Sequence, residues 1–150
     1  MNQFVKGMAA GLIATVVLSV LMIVKAMMGV MPTLDIPNMI AGMMGMPGNT
    51  VVGWFIHFMI GIVLYGAAIA VLDSRLPGNS SVAHGMAIGV GGWLVMMLTL
   101  MPMAGAGLFG MSFGAMAPAM TLVLHLIFGA VLGWYFGRST RRAKGPGAAA

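Results

Sequence analysis

The apolar positions of this chain fall into four long runs, Phe4 to Met28, Val51 to Leu72, Ser81 to Met103 and Phe113 to Gly137, and the connections between them hold most of the proline. Each run exceeds the roughly 20 residues that cross about 30 Å of hydrocarbon as an α-helix. None alternates strictly between apolar and polar positions, which excludes a transmembrane β-barrel. The pattern predicts four membrane-spanning helices. A cleavable leader competes for the first run, but its apolar stretch from Gly7 to Val24 is long and no small-residue cleavage site follows Lys25 cleanly, so the run is read as retained.

The runs also repeat. His57, Gly61 and Leu64 align with His125, Gly129 and Leu132 at a constant offset of 68, and Gly7, Met8, Ala9 and Gly11 align with Gly85, Met86, Ala87 and Gly89 at an offset of 78. The chain therefore reads as two helical hairpins, and a repeat of this kind is settled before other assignments. Two hairpins inserted in the same sense, parallel to one another, are related by a pseudo-twofold axis along the membrane normal. Small residues recur at fourth positions, notably Gly53 and Gly61 with His57 between them, Gly85 and Gly89, and Gly129 and Gly133. In lipid that spacing lets backbones approach closely, so these glycines are expected to pack the helices together.

Composition agrees with this reading: 61% of residues are hydrophobic and only 6% are charged, with a mean hydropathy of +1.05. Soluble domains carry charge on about a quarter of their residues. The net charge of +5 does not point to nucleic acid, because of where the cations lie. Lys6, Arg75, Arg138, Arg141, Arg142 and Lys144 all fall on one side of the four-span topology, which the positive-inside rule makes cytoplasmic, with both termini inside. Lys25 is the exception and is close enough to its helix end to snorkel. From 138 to 150 the chain becomes basic and then rich in glycine and alanine, as expected of a flexible cytoplasmic tail.

The outer connection of the first hairpin contains Pro32, Pro37, Pro47 and Gly48 around a run from Ile36 to Met46. Asp35 is placed to cap a short helix there, with Pro37 in its first turn. The corresponding connection of the second hairpin, Met103 to Ala117, is glycine-rich and uncharged. Irregular backbone of that kind survives at membrane depth only under protein or beside water, so the segment is expected to pack on the bundle. Asp73 to Ser80 forms the polar turn joining the hairpins, and His84, aligned with Lys6, reads as interfacial.

Candidate chemistry is sparse. His57 and His125 each lie roughly 10 Å inside the outer end of a span, beside small residues. Intramembrane histidines are costly unless paired or wetted and so point to function. Two imidazoles facing a bundle axis suit haem b ligation or metal binding, while the structural alternative is a hydrogen bond to a neighbouring helix carbonyl. All of the 19 methionines except Met1, Met8 and Met86 lie in the outer half, Val16 to Gly61 and Gly92 to His125. Soft thioethers favour Cu(I), and Met97 and Met101, within the group Met96, Met97, Met101 and Met103, are candidate ligands beside His57 and His125. Met39, Met43, Met44 and Met46 form a second such group. The alternative is that methionine fills irregular packing.

Acid-base catalysis lacks its residues, since Asp35 and Asp73 are the only carboxylates and both lie in connections. There is no cysteine, and no phosphate-binding glycine loop is present. The segment Gly91 to Gly110, GGWLVMMLTLMPMAGAGLFG, followed by His125, Phe128, Gly129 and Gly133, resembles an uncharacterised domain-of-unknown-function family of small bacterial four-helix inner-membrane proteins. The similarity extends from Gly7 to Gly137 and includes the Asp35 to Gly45 connection. The resemblance implies four spans and the bacterial inner membrane, and no activity.

The sequence therefore predicts an all-α integral membrane protein, a four-helix bundle with both ends inside and no enzymatic activity. Its expected role is that of an accessory or assembly subunit, packed in the lipid bilayer against itself or another membrane protein, with no nucleic-acid partner and no cofactor. Haem b or Cu(I) binding at His57 and His125 is the first alternative, and oligomeric transport of a small solute or ion is the second.

Overall fold

The computed structural model describes residues 2–143, with side chains described through 141. Helix α1 spans Gln3–Met27, and the short helix α2 spans Ile36–Met43. Three further long helices follow: α3 (Thr50–Leu72), α4 (Ser81–Met103) and α5 (Met116–Ala143). Helices α1, α3, α4 and α5 are long and apolar enough to cross a membrane. They correspond to the four apolar runs, with ends displaced by a few residues. The helix expected over 36–46 stops at Met43, where Gly45 adopts a positive φ and the Met46 amide reaches back to Ala41 O at 2.9 Å. Residues 138–143, assigned to the tail on sequence grounds, continue α5; the Arg142 side chain, Lys144 and residues 145–150 lie outside the described residues.

Side-chain oxygens set the helix starts. Asn2 accepts from the Phe4 amide at 2.8 Å, Asp35 from Asn38 at 3.1 Å, Asn49 from Val52 at 3.2 Å and Ser80 from Ala83 at 3.3 Å. Each satisfies an amide that the first turn leaves free. At the other end of α1, Gly29 is left-handed and the Val30 amide bonds Lys25 O at 3.1 Å. The Lys25 ammonium then donates to Met31 O at 3.1 Å and Leu34 O at 2.9 Å. It ties down the connection between α1 and α2.

The helices meet as two antiparallel hairpins through glycine. The Gly66 carbonyl occupies the place where a Cβ on Gly7 would stand, and the Gly61 carbonyl does the same at Gly11. In the second hairpin, Gly85 faces the Gly129 carbonyl and Gly89 faces the His125 carbonyl. Close approach of this kind is what drives association where lipid removes the hydrophobic effect.

The two ladders are not in the register that the sequence alignment suggests. Gly61 in α3 holds the position that His125 holds in α5, so His57 lies about one turn beyond the place equivalent to His125. Spacing explains how the first ladder still forms. Its rungs on α3, Gly61 and Gly66, are five residues apart, whereas His125 and Gly129 are four apart. Residues Ile60–Tyr65 form a π-helical segment, which absorbs one extra residue and returns Gly66 to the α1 face.

A second π segment, Met96–Leu100, lies in α4 just before Pro102. Proline offers no amide to the preceding turn, and the widened turn accommodates it. Beyond Met103 the uncharged connection folds back on the bundle as expected, turning at Gly105, Gly107, Gly110 and Gly114 with positive φ. It buries Ala106 and packs Phe109 against Trp93 at 5.9 Å. The α1–α2 and α4–α5 connections meet in one apolar cluster in which Leu34 joins Met97, Met101 and Ala106.

At the opposite end, near the start of α4, His84 is buried, only 6% exposed. Its Nδ1 lies 3.0 Å from Asp73 Oδ1 and its Nε2 lies 3.1 Å from Pro77 O. Both partners can only accept, so the ring satisfies them together only as imidazolium. This contact pins the turn between the hairpins.

Candidate functional site: a cleft between α3 and α4

Helix α1 packs along α3 and along α5, and α4 packs along α5, but α3 and α4 touch only sparsely. The bundle is therefore closed on three seams and open on the fourth. The open seam is a cavity of about 750 Å³. Its back wall is α1, with Thr15, Leu18 and Met22; its sides are α3 and α4, and its floor includes Thr121, His125 and Phe128 of α5. Most of the lining is aliphatic or aromatic, which with a few convergent polar groups is the usual make-up of a small-molecule site.

Tyr65 bridges the seam at one level. Its ring meets Phe128 edge-on with centroids 4.8 Å apart, and its hydroxyl lies against Gly92, where any side chain would collide with it.

The polar groups are ordered by α5. His125 Nδ1 lies 2.8 Å from the Thr121 carbonyl. A carbonyl only accepts, so Nδ1 carries the proton and Nε2 presents a lone pair. Thr121 is itself held: its hydroxyl accepts from Trp93 Nε1 at 3.1 Å and donates to Ala117 O at 2.7 Å, with Pro118 O at 3.1 Å. A tryptophan on α4 thus fixes the residue that orients the imidazole on α5.

His57 has no such support. Its Nε2 is buried and makes no hydrogen bond. Trp54 stands edge-on to the ring at 5.6 Å and Phe58 at 6.0 Å. An unsatisfied buried polar atom costs about 1–3 kcal/mol. The bond to a neighbouring helix carbonyl expected as the structural explanation of these histidines is made by neither ring: His125 Nδ1 bonds a carbonyl of its own helix, and His57 Nε2 has no partner.

The structure brings His57 and His125 to one cavity but does not bring the proposed sulfur ligands with them. Met97 and Met101 are both fully buried in the cluster beneath the outer connections, where Met101 packs on Gly110, and neither lines the cleft. Met22 and Met96 line it instead. Among the described residues no group of three or more histidines and carboxylates could hold a metal ion. The six glycines expected to pack the helices each sit against another segment: Gly53 on the Pro37 carbonyl, Gly61 on Thr15, Gly85 and Gly129 on each other, Gly89 on His125 O and Gly133 on Ser81 O.

Sequence reasoning missed Thr15, Tyr65, the Trp93–Thr121 bond and the His84–Asp73 pair. One local signal was available, since Thr121 precedes His125 by four residues and so shares its helix face.

No curated protein and no solved structure matches the chain. A family model matches residues 1–146, and the chain belongs to the family of unknown function DUF6789.

Proposed function

We propose that this chain is a non-enzymatic accessory protein of the bacterial inner membrane, with both ends cytoplasmic, that holds a neutral lipid-soluble molecule with a hydroxyl-bearing head in the cleft between α3 and α4. The observation that carries this reading is His125 Nε2, an uncommitted imidazole nitrogen on the wall of an apolar cavity that the His57 ring also lines. An acyl chain can fill such a cleft but leaves that nitrogen unsatisfied. A hydroxyl donor satisfies His125 Nε2, and the aliphatic lining takes the rest of the molecule. The absence of an enzymatic role is supported by how the two carboxylates are used, Asp35 as the cap of α2 and Asp73 as the partner of His84.

Lipid extraction of protein purified in mild detergent, followed by mass spectrometry, tests the proposal. A single neutral hydroxylated compound should be enriched in the native protein and lost when both histidines are replaced by alanine. Recovery of bulk phospholipid alone, identical for native and doubly substituted protein, would sink it. Reporter fusions at the two ends test the orientation.

Haem b is the second reading, favoured by two histidines lining one cavity. Against it, the cavity lining holds one cation, Lys25, already bonded to two carbonyls, and one anion, Asp35, a poor setting for two propionates. A Soret band abolished by the double substitution would replace the first reading with this one.

A further inference from the structure

The methionines of the outer face fall into two kinds. Met97 and Met101 are fully buried and fill the core, the role in which methionine serves as adaptable packing. Met39, Met43 and Met103 are different, because all three border open space, Met39 while also packing in part against the Leu34, Met97 and Met101 cluster. A second cavity, of about 260 Å³, is lined by these three side chains together with Gly42 and Ala104. Met39 and Met43 are four residues apart on α2 and so share one face, and Met103 is the last residue of α4. Met103 is 73% exposed, where a packing role leaves it almost nothing to fill.

The electrostatics suit a cation. Both α2 and α4 end at this cavity, at Met43 and Met103, and the carbonyls at the end of a helix carry its negative pole. Among the described residues no lysine or arginine lines it. The only functional side-chain atoms it offers are thioether sulfurs, which are soft, uncharged ligands that select Cu(I) and Ag(I) over harder divalent ions.

We propose that Met39, Met43 and Met103 form a binding site for a soft monovalent cation of the Cu(I) class at the α2 end of the bundle. The site is separate from the histidine cleft and stands whether or not the cleft takes a ligand. Binding alone is inferred, with no change of oxidation state.

The test is competition for Cu(I) between the full-length protein in detergent and bicinchoninate, in the absence of oxygen and with ascorbate present. One copper per chain is expected, with sulfur as its nearest shell by X-ray absorption. Met103→Leu keeps volume and apolarity and should weaken binding at least as much as losing an outer hydrogen-bond partner does, about 10- to 100-fold. Met27→Leu, at another exposed outer position, and the double replacement of His57 and His125 by alanine should bind like the native chain. A nitrogen shell, native-like binding by the Met39, Met43, Met103 triple leucine variant, or no uptake would each overturn the proposal. A measurement on the unaltered protein removes any dependence on folding of the variants: Ag(I) should slow peroxide oxidation of Met39, Met43 and Met103 relative to Met27 and Met111, read by mass spectrometry, and equal oxidation at all five would also refute it.

Discussion

The two hairpins are built on the same glycine contacts and reach them by different routes. In the second, the rungs on α4 and α5 are four residues apart, and an unbroken α-helix keeps them in line. In the first, α1 keeps that spacing while Gly61 and Gly66 on α3 are separated by five, and the π segment Ile60–Tyr65 takes up the difference. The comparison shows that a repeat in sequence does not become a repeat in contacts unless the helical period is the same in both copies. It also explains why His57 and His125, aligned in sequence, sit in unlike surroundings: one is oriented by Thr121, and the other keeps an unbonded buried nitrogen.

The harshest way to break the comparison is to delete a lipid-facing residue from the regular ladder. Ile127 is 37% exposed and lies between His125 and Gly129. Its removal turns everything after it by about 100° (one residue of a 3.6-residue turn), carrying Phe128, Gly129, Leu132, Gly133 and Phe136 off the α4 and α1 faces. The loss should exceed about 4 kcal/mol, in the exceptional range for a local change. Thermal unfolding in detergent should show no cooperative transition for the second hairpin.

Adding a methyl group to the first glycine of each ladder should come next. Gly7→Ala and Gly85→Ala both place a Cβ on a carbonyl that cannot move aside as a side chain can, and overpacking of this kind costs about 1–3 kcal/mol, sometimes more. Gly85→Ala should be the worse of the two, since its Cβ also meets the Gly133 backbone, whereas Gly7 faces a helix already containing a widened turn. Equal losses in denaturant titrations would show that the π segment gives no added tolerance.

The hairpins are joined at the turn by His84, so His84→Ala tests their coupling. Two hydrogen bonds are lost, and Asp73 and the Pro77 carbonyl are left without their partner. About 1–2 kcal/mol is expected from a buried polar pair of this kind, with faster amide exchange confined to residues 73–84. Faster exchange throughout α1 would mean that the contact supports the whole bundle.

What could be read from the sequence follows from the range of each interaction. The four spans depend on hydrophobic runs, and α2 on Asp35 with Pro37, so both are local. The glycine faces depend on spacing within a helix and were equally plain. The register of α3 against α1 was not, because a π segment leaves no mark in apolar composition: Ile60, Ile62, Val63 and Leu64 would suit either helix. The cleft was also hidden, since it exists only because α1 reaches both α3 and α5 while α3 and α4 stand apart. For the same reason the expected grouping of Met97 and Met101 with the histidines failed, and Met103, distant in the chain from Met39 and Met43, came to line one cavity with them.

The smallest effect expected is also the sharpest test of the comparison. Val63 is 48% exposed and lies within the π segment, between Gly61 and Gly66. Its deletion brings those glycines to a spacing of four, which an ordinary α-helix places on one face. No buried side chain is removed and the ladder to Gly7 and Gly11 is kept, so stability should change by no more than about 1 kcal/mol, the usual scale for a change away from core features. The same operation in α5 destroys its hairpin. If removing Val63 proved as damaging as removing Ile127, the extra residue would be required for more than register, and the widened turn beside Tyr65 would have to be counted as part of the cleft itself.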